Sequence, residues 1–534
     1  MNADAVDFEC IHGLSSFDKH YVRKPEDFAA FAPSLPRLSS VAEQLKRKSA
    51  NYNYSRESLA HVIREQYEKV GCIDAVTKER IAALKSIHTF TVITAHQPSL
   101  LTGPLYFIHK ILSAIVTAQK IQEELPEKRI IPLFIIGGED HDFDEMNHLH
   151  YKNDRYEWSS AESGGSVGRM STEGIVNVLD ELEPSLSQTF YGTEILSLLR
   201  SSFKGERSVG EAMQYFLIKL FHDEPLIVVQ MDDIAFKKAF IPQIINEVLH
   251  ERSREPVEKT QAELKNLGYG EQALARDINF FYLHDGQRRR IVLADNNKYE
   301  VLDSDIQFSR KEMELHIEQY PDRFSPNVIM RPLYQEYIFP NLAYIGGGGE
   351  LAYWMERNRQ FENFNLTFPM LIRRHSAAIV SEKNWRKMKQ FSIDLCQWMG
   401  QIHDVENHWL DRDFSDHLDL SIAFKQIHTA FDDLKSRMIE IDESLLYANE
   451  AARVDALKPL QRLEKKLRRS IKKKESIKKR QLREIYADLF PQGNLQERYS
   501  NFLQFYESRG PQLFEDLKEA FKPFKPEMVI ITCP

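Results

Sequence analysis

The chain has 534 residues, a 42% apolar fraction and a formal net charge of −9. That length exceeds what one core organises and points to roughly two to four structural units, while the negative balance argues against a general nucleic-acid binder. The acidic start (Asp4, Asp7, Glu9) lacks a signal core and no apolar run reaches a membrane span; Cys10, Cys72, Cys396 and Cys533 are scattered without a CxxC pair, so a cytoplasmic protein is expected.

Residues 1 to about 85 read as mostly helical after an irregular start punctuated by Pro25, Pro33 and Pro36. Leu59, Val62, Ile63 and Tyr67 there fall at amphipathic spacing. Next, Phe90-Thr91-Val92-Ile93 is β-branched and apolar, the pattern of a buried parallel strand. A tight turn follows, with Pro104 placed as a first helical residue. Leu105, Ile108, Ile111, Leu112 and Ile115 then recur at helical spacing. A second strand, Ile130 to Ile136, ends in Gly137-Gly138-Glu139-Asp140-His141-Asp142. The three elements make a βαβ unit with polar residues at both carboxyl ends, where open α/β sheets bind ligands.

Ser159 to Gly168 is small and polar and reads as a loop or mobile connection. Helical patterns around Ile175–Leu182 and Ile195–Leu199 precede another buried strand, Leu226 to Met231, which ends in Asp232-Asp233. Further helices cover Ile241–Leu249 and Val257–Leu267. Phe280–Leu283 and Arg290–Ala294 then flank Asp285-Gly286 as a hairpin. After Ala343-Tyr344-Ile345 come glycines 346 to 349, which permit close backbone approach to a ligand, and Glu350 opens a helix. Phe368 to Arg374 looks like one more sheet strand. From about 380 to 490, Leu457, Leu460, Leu463, Leu467, Ile471, Leu482, Ile485 and Leu489 supply a seam, interrupted by Lys472-Lys473-Lys474, for a long helical hairpin or coiled coil. Its basic face reads as the solvated side of a dimerising helix pair. Glu527 to Thr532 is a short strand expected to return to the α/β sheet as an edge.

His96, Gln97, Thr102, Tyr106, His109 and Lys110 cluster around one turn, and helical geometry puts Tyr106 and Lys110 on one face. A binding role is expected for His96, Gln97 and Thr102. Glu139 to Asp142 carry metal-type ligands, but neighbours along an extended chain point apart and no HExxH spacing occurs, so no metal site is expected. Asp140, His141 and Asp142 instead suit amino, hydroxyl or phosphate groups, with His141 able to act as a general acid or base. No GxSxG elbow exists, and no cysteine has a nucleophile-like context.

TGPLYFIHK, GGEDHDFDE, RPLYQEYIFPNLAYIGGGGELAYW and the basic helical region together resemble the bacillithiol-synthesis cysteine-adding enzymes, the BshC family. The resemblance covers essentially the whole chain. It implies an α/β fold: a Rossmann-like parallel-sheet core similar to class I aminoacyl-tRNA synthetases, two insertions and a dimerising coiled coil. The implied boundaries are 1–150 and 216–235 for core segments, 151–215 and 236–325 for insertions, 326–380 for the second half of the core, 381–500 for the coiled coil and 501–534 for a returning helix and strand. The implied activity joins L-cysteine to the amine of glucosaminyl-malate. A synthetase-like domain implies ATP, with no metal beyond nucleotide-associated Mg, although neither a HIGH tetrapeptide nor a KMSKS loop is present. The motifs give His141, Asp140 and Lys110 as catalytic candidates. The substrate site they imply comprises His96, Gln97, Thr102, Gly103, Tyr106, Glu139 and Asp142, with Arg331, Gln335, Asn341, Tyr344, Gly347, Gly348, Glu350 and Trp354. Two other readings stand beside this one: another nucleotide-dependent amino-acid ligase or adenylyltransferase, and a coiled-coil scaffold with a small-molecule-binding α/β domain.

Overall fold

Five parallel strands organise the larger of two units in the computed structural model, which describes residues 3–152, 154–160, 162, 164–295, 297–525 and 527–533. Unit 1 comprises Met1–Glu9, Gly13–Ala378 and Leu495–Ile531; unit 2 comprises Cys10–His12, Ile379–Asn494 and Thr532–Pro534.

In chain order, unit 1 runs β1 (Ala3–Asp7), α1 (Ser16–Arg23), α2 (Arg56–Val70), β2 (Thr89–His96), α3 (Tyr106–Glu124) and β3 (Arg129–Ile136). Helices Ile175–Leu186 and Phe190–Ser202 lead to α4 (Val209–Leu220), β4 (Ile227–Gln230), α5 (Ile234–His250) and α6 (Arg254–Asn266). Then come β5 (Phe280–His284), β6 (Gln287–Leu293), α7 (Arg331–Ile338), β7 (Asn341–Gly346), α8 (Gly348–Met355), α9 (Asn358–Asn363) and β8 (Met370–Arg373).

The sheet order is β8-β7-β2-β3-β4, all parallel. From β2 the chain steps outward through β3 to β4, then returns to the other side of β2 as β7 and β8. The reversal between β2 and β7 is a switch point, where crossover connections diverge and leave a crevice at the carboxyl ends. Those ends are nearly flush, with His96 opposite Ile136, Ile136 opposite Gln230 and Gly346 opposite Arg373. β2 is buried along all but its last residue, and Ile108, Ile111, Leu112 and Ile115 of α3 are fully buried. A parallel sheet covered on both faces requires such continuous apolar runs.

Pro104 lies just outside α3, which begins at Tyr106 with Leu105 as its cap. Leu101 (φ 44) and Thr102 (φ 73) hold left-handed backbone before Gly103, so the chain reaches helical geometry two residues later than expected. The hairpin β5–β6 turns through Asp285 and Gly286, both with positive φ, as a two-residue turn matching strand twist requires.

Ala161 and Ser163, within the small polar stretch, lie outside the described residues. The end of that stretch is tied down rather than loose. Val167 and Gly168 amides donate to the carbonyls of Asp140 (2.8 Å) and Gly138 (2.7 Å), at the carboxyl end of β3.

The C-terminal strand departs from expectation. β9 (Glu527–Cys533) does not join the parallel sheet; it pairs antiparallel with β1, Ala3 opposite Ile531 through Asp7 opposite Glu527. An apolar strand needs a ladder partner, and the N-terminus, read as irregular, supplies it.

Unit 2 contains α10 (Ser421–Ile441) and α11 (Leu445–Lys474), packed as a helical hairpin, and α12 (Ser476–Leu489). The lysine run ends α11, and the chain breaks at Glu475 before α12. The seam is fully buried at Leu482, Ile485 and Leu489 and only partly covered in α11. Glu406 gathers Lys472 (2.8 Å) and Arg483 (2.7 Å), so part of the basic face is internally paired. Cys10 and Cys396, 386 residues apart in sequence, form a disulfide that no spacing pattern announced. Among the described residues, no helix is long and apolar enough to cross a membrane.

Candidate active site

A cleft of about 700 Å³ lies over the carboxyl ends of β2, β3 and β7. His96 and Gln97 enter it from β2, Gly137 to Asp140 from β3, and Gly347 to Glu350 from the turn after β7. Gln272 to Arg276, Phe281, Arg288 and Asn327 close its far wall, contributed by the segments around β5 and β6.

The β7 turn is held from below. Lys110 on α3 is fully buried, and its ammonium donates to both oxygens of Glu350 (2.7 and 2.9 Å) and to the Ala95 carbonyl. Tyr344 donates its hydroxyl to Glu350 (2.9 Å), and the Gly347 amide does the same (2.9 Å). Burial opposes the Glu350 charge, but Lys110 and the Gly347 amide prevail and hold its pKa at about 2. The early amides of α8 are thereby fixed with their donors at the cleft, the geometry that favours an anion. Gly348 is needed there: a Cβ would stand 2.4 Å from Cγ of Asp18, whose carboxylate is bound by Arg373 (2.7 and 3.0 Å).

His96 is a neutral hydrogen-bonding group. Burial and the Lys110 charge push its pKa down to about 4. Its Nδ1 lies 2.9 Å from the Gln97 carbonyl, which only accepts, so Nδ1 carries the proton and Nε2 accepts from the Tyr106 hydroxyl (3.2 Å). Tyr106 is thus oriented at the cleft by a histidine bonded at both ring nitrogens.

The acidic turn is equally organised. Glu139 is paired with Lys237 (2.5 Å), and burial raises its pKa. Asp140 is also pushed up by burial, but His141, Gln97 (2.5 Å) and Arg288 outweigh this and hold it below the usual range. Arg288 donates through Nη1 to Nδ1 of His141 (2.9 Å), and a guanidinium can only donate. The imidazole proton therefore sits on Nε2, which makes His141 a donor rather than a base at that atom.

The opposite side is cationic. Arg374 donates from Nη1 and Nη2 to the two oxygens of buried Glu497, 2.8 Å each, and its Nε faces Gly347. Glu497 also meets His109 Nδ1 (3.1 Å). Arg498 stands at the solvent edge, where partial burial and the Arg374 charge lower its pKa. Arg331 donates to the Tyr353 hydroxyl (2.8 Å).

Of the residues picked from sequence, His96, Gln97, Tyr106, Glu139, Asp140, Arg331, Gly347, Gly348 and Glu350 line this cleft. His141 stands behind Asp140, and Asp142 faces solvent. Lys110 and Tyr344 lie beneath Glu350. Thr102 and Gly103 shape the preceding turn, whose carbonyls at Leu101 and Gly103 accept from Asn501 (3.0 and 2.6 Å). Gln335 and Asn341 surround buried Glu336, and Trp354 stacks on Tyr344 within the core (4.4 Å). Arg288, Arg374, Arg498, Asn327 and Tyr353 line the cleft as well, beyond the expected set. Arg374 follows a strand end and carried a readable signal; Arg288 and Arg498 arrive from distant segments and carried none. Among the described residues, no group of His, Cys, Asp and Glu is arranged to hold a metal ion.

Two family profiles divide the chain between them. One, described as bacillithiol biosynthesis BshC, N-terminal Rossmann-like domain, matches residues 1–375; the other, its C-terminal coiled-coil domain, matches residues 377–533. The chain belongs to the BshC family. Relatives are similar along their full lengths. One from Flavobacterium johnsoniae is 33% identical over 533 residues, covering 100% of both chains. Another from Christiangramia forsetii is 35% identical over 520 residues, 96% of each. Both carry the name "Putative cysteine ligase BshC". The BshC N-terminal match spans every cleft segment except the one bearing Glu497, Arg498 and Asn501.

Proposed function

We propose that the chain is a ligase that forms the amide between the carboxylate of L-cysteine and the amine of glucosaminyl-malate, in bacillithiol synthesis. One observation carries this reading: a single cleft opposes a cationic wall, Arg331, Arg374 and Arg498 with the β7 glycine turn, to the acidic turn at Glu139 and Asp140. The first suits carboxylates and phosphates and the second suits an amino sugar. Tyr106, whose one hydroxyl hydrogen goes to neutral His96, presents an accepting oxygen to the cleft, and the donors available to a developing oxyanion are the early amides of α8 and the guanidinium of Arg498.

A free carboxylate needs activation, which ATP would supply when bound, with nucleotide-associated Mg as its only metal. The α8 amides with Arg374 fit phosphate. We further propose a cytoplasmic homodimer joined through α10 and α11, whose Ile422, Ile441 and Tyr447 are 72, 78 and 87% exposed.

Full-length protein with cysteine, glucosaminyl-malate and Mg-ATP is expected to yield the thiol product by mass spectrometry, with AMP or ADP formed in step. Protein that binds both substrates yet forms neither product would sink the ligase reading. Product from other amino acids at equal rate would favour a general amino-acid ligase. Sedimentation at the monomer mass would remove the dimer.

A further inference from the structure

Behind the far wall of the cleft lies a buried polar network built around a carboxyl group without a counter-ion. Glu247 on α5 is fully buried. Its Oε2 accepts from the Ser253 hydroxyl (2.5 Å) and its Oε1 from the Asn279 amide (2.7 Å). Ser253 in turn accepts from Gln360 (2.7 Å) and lies 3.2 Å from the sulfur of Met330. The groups bonded to Glu247 are thus Ser253 before α6 and Asn279 before β5, with Met330 before α7 and Gln360 of α9 meeting it only through Ser253, all neutral. Among the described residues no cation pairs with it. A charge placed there without a counter-ion must repay its burial in some other way.

Asn279 connects this carboxyl to the cleft. Its Nδ2 also donates to the Arg276 carbonyl (2.7 Å), and its Oδ1 accepts from the Arg276 amide (3.1 Å) and from Asn327 Nδ2 (3.0 Å). The Asn327 amide donates to the Asn279 carbonyl (3.2 Å). Arg276 and Asn327 both line the cleft. One side chain therefore clamps two separate stretches of wall, and Glu247 orients it. In the stretch clamped at Arg276, Leu274 is 62% exposed, while Ala275 packs with Val257 and Ile329 and the Ala273 carbonyl accepts from Gln261 (2.8 Å).

We propose that Glu247, acting through Asn279, is a positioning residue that sets where Arg276 and Asn327 stand against the substrate. The assignment to substrate rests on the ligase reading; the assignment to the wall does not. The network can exist in two states. With Glu247 ionised, Ser253 donates to it and Asn279 makes a charge-assisted bond. With Glu247 protonated, the carboxyl donates to Ser253, whose own hydrogen turns to Met330, and the bond from Asn279 weakens. Burial raises the Glu247 pKa to about 7, so both states are within reach of ordinary conditions.

The test uses the full chain as wild type, Glu247→Gln and Glu247→Ala. Hydrogen exchange of residues 272–279, corrected for intrinsic rates, is read at pH 6 and pH 8 without substrate. Wild type is expected to exchange faster at pH 6, Glu247→Gln to match that rate at both values, and Glu247→Ala to exceed it. In the ligase assay, KM for the amino-sugar substrate should rise about threefold in Glu247→Gln at pH 8 with kcat held. Should Glu247→Ala fail to fold, Glu247→Gln alone decides. Equal exchange in Glu247→Gln and wild type at both pH values overturns the proposal. Absence of ligase activity in wild type removes the reading of function while the exchange result still judges the clamp.

Discussion

Lys110→Met would leave the Glu350 carboxylate against an apolar stem, and Glu350→Gln would leave an ammonium buried without its counter-charge. Each single change is expected to cost about 3–5 kcal/mol, since breaking a buried pair strands a charge. The double variant should cost less than the sum, as urea midpoints in a double-mutant cycle would show. Glu247 makes a prediction of opposite sign. An acid whose folded pKa rises to about 7 holds its proton more tightly when folded, so its contribution is intact in acid and is lost as pH climbs towards 7. Glu247→Gln should therefore gain stability on wild type by up to about 3 kcal/mol between pH 5 and pH 8, read from paired thermal melts. At this scale the sequence was partly legible. His96, Gln97, Glu139 and Asp140 stand at or just past the ends of apolar strands and Glu350 follows the glycine run after β7, so their place at the carboxyl-end cleft could be read. Trp354 and Asn341 share the glycine motif, but strand pleat and helical turn direct them into the core. Glu247 sits near the end of α5 among Ile244, Ile245, Val248 and Leu249, a lone acid in an apolar stretch whose partners Ser253 and Asn279 only the fold brings to it.

Between elements, close backbone approach sets what can change. A Cβ on Gly168 would come within 2.6 Å of Gly138 Cα, so Gly168→Ala must push the 166–169 turn off the end of β3. Loss of substrate binding with the helical signal retained in circular dichroism is the expected result. The turn before α3 makes a second case. Leu101 and Thr102 hold left-handed backbone that costs about 1 kcal/mol or more per residue, against which Asn501 supplies two hydrogen bonds. Asn501→Ala is expected to lose about 2 kcal/mol in thermal unfolding and to raise KM, because Tyr106 begins the helix that follows. The strands and α3 were readable from periodicity, since continuous apolar runs of that length fit a covered parallel sheet. Partners were not readable: β9 has the composition of any short strand, and only the fold shows that it pairs with β1.

For the molecule as a whole, net charge and site charge have opposite signs. The chain carries −9, yet Arg288, Arg331, Arg374 and Arg498 all face the cleft. Attraction at contact range outweighs repulsion from distant surface charge, so KM for an anionic substrate should rise as salt is raised from 50 to 500 mM. A KM that falls with salt would mean the global charge governs binding. The division into an α/β unit and a helical unit was legible from the change of composition near residue 380. The return to the first unit was expected as a helix and strand from residue 501; it begins at 495, and Glu497 and Arg498 sit in a four-residue helix without pattern.

That return has a consequence for biosynthesis on the ribosome. Arg374 is translated before residues 379–494, and its partner Glu497 only after them. At cellular elongation rates the interval is roughly ten seconds, long enough for the strands ahead of it to collapse and await chaperone or partner. During that delay the turn at Leu101 lacks Asn501 and β1 lacks β9. A nascent chain interrupted anywhere in the helical unit would carry every strand of the parallel sheet but lack Glu497, Arg498 and Asn501, so incomplete translation products should bind neither substrate.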